Sequence, residues 1–383
     1  MMIFHNKSAR FRLKRRTIVK NTFFPVLSIF MVFLHFSCSG GWQGRMYAED
    51  GVEVTENTGR SVYGAHFGEM LQLRETLVLG GEEGPEEELF SMRPQVAVDD
   101  DLNIYTLDSK ARLLRKYDSQ GKLLWQTGRE GQGPGEFMAP SAIALSDKGG
   151  IHVLDQYIAI QEFDTDGIFQ RITHLARRCW DLDILPDGRL FLNLFLEGKQ
   201  GVSSFLYTSE GRPLEPFTED YVYGPQEYFQ GTGGFGPDKA RRCLDGSIYF
   251  SLPDRYEIRE YTLSGRLERV IRRSLTLEPF GFRQQGSQRN IHIKDRSGPC
   301  FLWRDGMLIN VMTRSRGGKV LREWRMDFFD RDGRFLGSYT LPDYRFLKAV
   351  DREGNLYFVE SLPYPRLIRC EASLDLHPNS KTK

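Results

Sequence analysis

The chain has 383 residues, of which 40% are apolar and 13% aromatic, with 38 glycines. That length buries a sizeable core, and the composition suits many short strands joined by tight turns rather than long helices. The formal charge of +1 conceals an asymmetry: seven Lys or Arg and no acid stand in the first 37 residues, leaving 45 basic against 51 acidic residues in the rest. The acidic remainder argues against a nucleic-acid partner.

The N-terminus reads as an export signal. Lys7, Arg10, Arg12, Lys14, Arg15, Arg16 and Lys20 precede an apolar run over residues 23–36, FFPVLSIFMVFLHF. The run is shorter than the ~18 residues expected of a bilayer span and ends at small residues, as a secretory signal does. Cys38, after Ser37 and before Ser39, Gly40 and Gly41, resembles the acylated cysteine of a bacterial lipobox. His35 and Phe36 depart from that pattern, and ordinary cleavage near Ser39 is the alternative. The Gly-rich, acidic stretch that follows reads as a flexible tether.

A repeat then organises the chain. An apolar strand, a turn of Asp-Gly type and a strand of β-branched and aromatic residues recur six times, at 96–107, 142–154, 182–194, 243–252, 301–312 and 347–359. A second Gly turn follows in five copies, at 116–124, 162–170, 206–214, 260–268 and 328–336. Gly after two polar residues between apolar runs is hairpin chemistry, because Gly accepts a positive φ. Each unit is therefore a four-stranded antiparallel sheet, and the average period of about 50 residues is that of propeller blades.

The sixth unit lacks its fourth strand, whereas residues 71–79 form an orphan strand before the first unit. The expected fold is all-β: a six-bladed β-propeller of four-stranded antiparallel blades, closed by the N-terminal strand completing the last blade. The expected segments are a signal with its lipobox cysteine (1–38), the tether (39–66), the propeller (67–372) and a polar tail (373–383).

Gly131, Gly133, Pro134, Gly135, Glu136, Phe137 and Pro140 lie in the connection GREGQGPGEFMAP, and GGEEGPEEELFSMRP repeats its plan at 80–94. This resembles the inter-blade link of NHL-repeat propellers, and the similarity is good over residues 80–170. The resemblance implies an exported six-bladed propeller, periplasmic or at the cell surface, touching the membrane through a lipid anchor alone.

Enzymes occur on this fold, so chemistry must be tested. His66, His152, His174, His292 and His377 show no pair at ligand spacing. Gluconolactonase-like propellers hold a divalent ion with Glu, Asn and Asp, and Asp155, Asn193 and Asp183 are of those types; their ordinary task near turns is to bond the backbone. Cys179, Cys243, Cys300 and Cys370 either form disulfides or, the preferred reading, stand as buried thiols. No metal or other cofactor is expected.

One feature suggests recognition. Arg177 and Arg178 before Trp180, and Arg241 and Arg242, stand at or near the entries of inner strands, with Tyr157 and Tyr256 in neighbouring connections. Such Arg pairs suit a carboxylate, a sulfated sugar or an acidic peptide, unless they are solvated or paired with Asp181, Asp183 and Asp245. The reading is a monomeric, non-catalytic scaffold presenting its channel face to a protein, peptide or glycan. The alternative is a metal-dependent lyase or lactonase on the same fold.

Overall fold

The computed structural model describes residues 41–375 except 86–87, 196–200, 218–220, 223–240, 243–245, 253–254, 278–279, 286–287, 294, 316–321 and 343. Its strands form six antiparallel blades. Blade 1 is Gln95–Val98, Ile104–Asp108, Leu113–Tyr117 and Leu123–Thr127; blade 2 is Pro140–Leu145, Ile151–Asp155, Ala159–Phe163 and Phe169–His174. Blade 3 is Cys179–Ile184, Leu190–Phe195, Gly201–Tyr207 and Pro213–Pro216; blade 4 is Arg241–Arg242, Ser247–Leu252, Glu257–Thr262 and Leu267–Arg273. Blade 5 is Arg296–Leu302, Leu308–Ser315, Arg322–Phe329 and Phe335–Leu341. Blade 6 is Arg345–Val350, Leu356–Glu360 and Arg366–Leu374, completed from the other end of the chain by Leu71–Gly80. The innermost strands meet in chain order and the sixth returns to the first, closing the ring. The protein is a six-bladed β-propeller, as the repeat implies.

Side chains alternate across each pleated strand, so a central strand buries one set against each neighbouring blade. Among the described residues the hydrophobic core is accordingly divided into six clusters, one at every blade interface. The turns repeat their chemistry too. Asp118 and Asp164 each accept backbone amides two and four residues on, at 2.9–3.0 Å, and a positive-φ Gly follows. At Gly167 (φ +77°) a Cβ would lie 2.7 Å from the ring of Trp125 on the outer strand of blade 1. Only glycine permits both that conformation and that approach.

The N-terminal segment departs from expectation. Gly44–Glu49 and Val52–Asn57 form a hairpin through Asp50 and Gly51, both at positive φ, and Val52–Asn57 runs parallel to the outer strand of blade 4. Asn57, 3% exposed, pins it. Its Nδ2 donates to the carbonyls of Arg272 and Gly333, both 3.1 Å, and its Oδ1 accepts from Trp42 Nε1 and the Phe335 amide, both 2.8 Å. The chain continues along the outer strand of blade 5, where Val62 and Tyr63 donate to Phe335 and Leu336 carbonyls, and Phe67 packs on Phe328. Much of the 39–66 stretch is thus an ordered strap over outer strand edges, which otherwise expose unpaired backbone groups. A further hairpin, Phe280–Gln285 with Gln288–Ile293, stands between blades 4 and 5.

Asn57→Leu should cost about 2–4 kcal/mol, because it strands buried amide and carbonyl groups at the junction of blades 4 and 5. A thermal melt of the full chain checks this, the expected result being a lower midpoint with an unchanged far-ultraviolet spectrum at 25 °C.

Candidate functional site

Within blade 2 a two-residue turn joins Ile151–Asp155 to Ala159–Phe163, beside the connection to blade 3. The Ile158 amide donates to the Asp155 carbonyl at 3.2 Å, and the central residues Gln156 and Tyr157 both have positive φ, 52° and 64°. This turn ordinarily takes Asn and Gly, and non-glycine side chains in the left-handed region cost about 1–2 kcal/mol each. The surroundings enforce it. Met138 and Ala139 amides donate to the Asp155 carboxylate at 3.1 and 2.6 Å, and the Gln156 amide donates to the Ala139 carbonyl. The Tyr157 carbonyl accepts from Cys179 at 2.6 Å, tying the turn to the start of the next inner strand.

The strained turn carries part of the predicted site. The Arg178 guanidinium lies over the Tyr157 ring at 5.2 Å, and that of Arg177 over Phe205 at 5.3 Å; both arginines are exposed. Among the described residues Arg177 pairs with no carboxylate. Phe205, on the third strand of blade 3, and Gln156 escape the sequence reading; Phe205 stands 28 residues beyond Arg177, and only the fold unites them. Together these groups form a ledge of two cations on aromatic faces, a contact that strengthens when water is excluded.

The other predicted residues lie elsewhere. Trp180 is half-buried at a bulge of its inner strand and packs against the cluster between blades 3 and 4. Tyr256 is corrected: it is 3% exposed, and its hydroxyl donates to Asp327 of blade 5 at 2.6 Å, where Arg273 also pairs. It is a core residue between blades, with burial and Asp327 pushing its hydroxyl well above the ordinary tyrosine value. Arg241 and Arg242 form the short inner strand of blade 4, opposite Tyr249 and Ile248. Cys38 lies outside the described residues, as do Asp245, Cys243, His377 and the glycine cluster at 231–236.

The acid and amide candidates are occupied: Asp155 holds the inter-blade link, and Asn193 accepts the Ser204 hydroxyl at 2.7 Å. Among the described residues no three His, Cys, Asp or Glu side chains gather as a metal site. The Gly-Pro-Gly-Glu-Phe link is a clamp. Glu136 accepts from the Gly133 amide and Arg129, Gln161 bonds the Gly135 amide and the Glu136 carbonyl, and Phe137 is buried against Phe163. Cys179, Cys300 and Cys370 are buried; the first two lie on inner strands, the third on the third strand of blade 6. Burial pushes the Cys370 thiol up to about 11 and raises that of Cys300 further.

Residues 83–208 match the model of a family described as a 6-bladed beta-propeller, DUF5128. No curated protein matches the sequence. Among solved structures, a DUF4221-family protein from Bacteroides vulgatus is 10% identical with a TM-score of 0.57, over 80% of this chain and 100% of its own. A candidate exported protein from Bacteroides fragilis is 11% identical with a TM-score of 0.53, over 84% and 99%. Virginiamycin B lyase from Staphylococcus aureus is 11% identical at a TM-score of 0.44, over 80% and 100%. The two Bacteroides likenesses are ones of fold.

Replacing Gln156 and Tyr157 by Asn and Gly should relieve the turn and raise stability by about 1 kcal/mol, net of the lost contact with Arg178; chemical denaturation measures it. Cys179, Cys300 and Cys370 should resist a thiol reagent in the native protein at pH 8 and react on unfolding, since only an accessible thiolate is nucleophilic. Fast native labelling of any one would refute their burial.

Proposed function

We propose that this protein is an exported, non-catalytic scaffold, an NHL-type propeller held at a bacterial membrane by acylated Cys38, working as a monomer. Its ledge between blades 2 and 3 captures a partner bearing clustered carboxylates or sulfates. The single observation that carries this reading is the exposed Arg177 and Arg178 over Phe205 and Tyr157, built on a turn that holds two side chains in the left-handed region. Strain of this kind persists where the surroundings fix it and is favoured at recognition sites. Arginine presents a planar fork that matches carboxylate and sulfate oxygens two at a time. The aromatic faces beneath hold the guanidinium groups in place, lowering the ordering cost of binding.

Export is supported by the basic and apolar N-terminal pattern. The lyase or lactonase reading requires several acidic or imidazole side chains converging near the axis, and Asp155 and Asn193 are engaged otherwise.

Arg177→Ala with Arg178→Ala should weaken binding of a fluorescent polyglutamate peptide or a sulfated oligosaccharide about tenfold, the scale of one or two charge-assisted hydrogen bonds. Anisotropy titrations at two salt concentrations test it, since binding through this ledge should also fall as salt rises. Equal affinity in variant and parent removes the ledge as the site.

A further inference from the structure

The first hairpins of blades 1 and 6 are closed by the same lock. Asp99 accepts the amides of Asp101 and Asn103, the Asn103 side-chain amide at 2.9 Å and the Tyr105 hydroxyl at 3.0 Å. Asp351 does the same with Glu353, Asn355 and Tyr357, at the same 2.9 and 3.0 Å for the two side chains. Blade 2 keeps the backbone of this turn, with the Ser146 amide donating to Gly150 and the Gly149 amide to Ser146, both 2.9 Å. It replaces all three lock side chains: Ser146 stands for Asp, Gly150 for Asn and His152 for Tyr.

The exchange opens space and leaves an unmet group. His152 is 6% exposed, its Nε2 faces Glu162 Oε2 at 3.5 Å, and its buried Nδ1 has no hydrogen-bond partner among the described residues. Glu162 also accepts from Arg171 Nε at 2.6 Å, and with His152 and Arg171 beside it its carboxyl is held at about 2. Nε2 turns to that carboxylate, and in the neutral imidazole with its proton there Nδ1 is the acceptor. His152 lines a cleft of about 470 Å³ between blades 2 and 3, a volume within the usual range for small-molecule sites.

This cleft lies at the opposite end of Ile151–Asp155 from the arginine ledge. Its acids are largely committed: Asp164 to the amides of its own turn and to Gln170, Asp187 to Arg189, Glu162 to Arg171. Hydroxyl, amide and imidazole groups remain, with Lys148 and Asp147 also on the lining. Such a lining matches a ligand that both donates and accepts without net charge.

We propose that the cleft binds a saccharide, one hydroxyl of which donates to His152 Nδ1 as the ring turns outward to meet it, where blades 1 and 6 carry the Asp–Tyr bond. The proposal is independent of the arginine ledge. In full chain labelled with ¹³C at histidine Cε1, the signal lost in His152→Gln should move saturably with cellobiose, maltose or diacetylchitobiose. It should stay in place with inorganic phosphate and with spermidine. Ser146→Asp with Gly150→Asn and His152→Tyr rebuilds the lock of blades 1 and 6; it should fold and bind the active disaccharide about tenfold more weakly or worse. Polyglutamate binding should be unchanged in this variant. The proposal is overturned if no disaccharide moves the signal, if phosphate or spermidine moves it instead, or if the rebuilt turn binds the disaccharide as the parent does.

Discussion

The structure depends on one pairing, that of Leu71–Gly80 with Arg366–Leu374, which joins the two ends of the chain in blade 6. Each hydrophobic cluster is shared by two blades, so no blade buries both of its faces without both neighbours. Leu79 and Leu367 belong to the cluster against blade 1, while Ile368 and Cys370 belong to the cluster against blade 5. The closing strand therefore seals two interfaces at once. Ion pairs of Arg74 with Glu371 and of Glu75 with Arg345 flank it, but at the surface such pairs add little beside the buried apolar contacts.

The ledge and the cleft are the two ends of one wedge. Between them lie Ala142, Ala144 and Cys179, small side chains that draw the inner strands of blades 2 and 3 together. Both places sit on connections raised from this packed support, which positions their side chains more closely than a free loop would. The same repeat supplies the departures that distinguish them: a turn that lacks its glycine at one end, and a turn that lacks its aspartate at the other.

The blades were legible because each Asp-Gly turn is a local signal, readable within ten residues. The strap is hard to see in the sequence, although Met46 to Thr55 flanks an Asp50-Gly51 turn. Its glycines and acids resembled a linker, and what orders it is Arg272, Gly333 and Phe335, more than 200 residues away. The burial of Tyr256 is hidden from the sequence for a similar reason, since Asp327 belongs to the next blade. Tyr157 and Arg178 stood close enough in the chain to be grouped, whereas Phe205 entered only through the pairing of strands. The altered lock of blade 2 was visible on aligning VDDDLNIY, LSDKGGIH and VDREGNLY, but its meaning needed the tyrosine hydroxyls of blades 1 and 6.

The strap also sets a timetable. Val52–Asn57 finds its partner strand only once residue 273 is made, and Leu71–Gly80 only once residue 374 is. Contacts so distant along the chain form slowly, because a long loop must first close. The earliest part of the described chain is thus among the last to be fixed, and its strand edges stay open until synthesis is nearly complete.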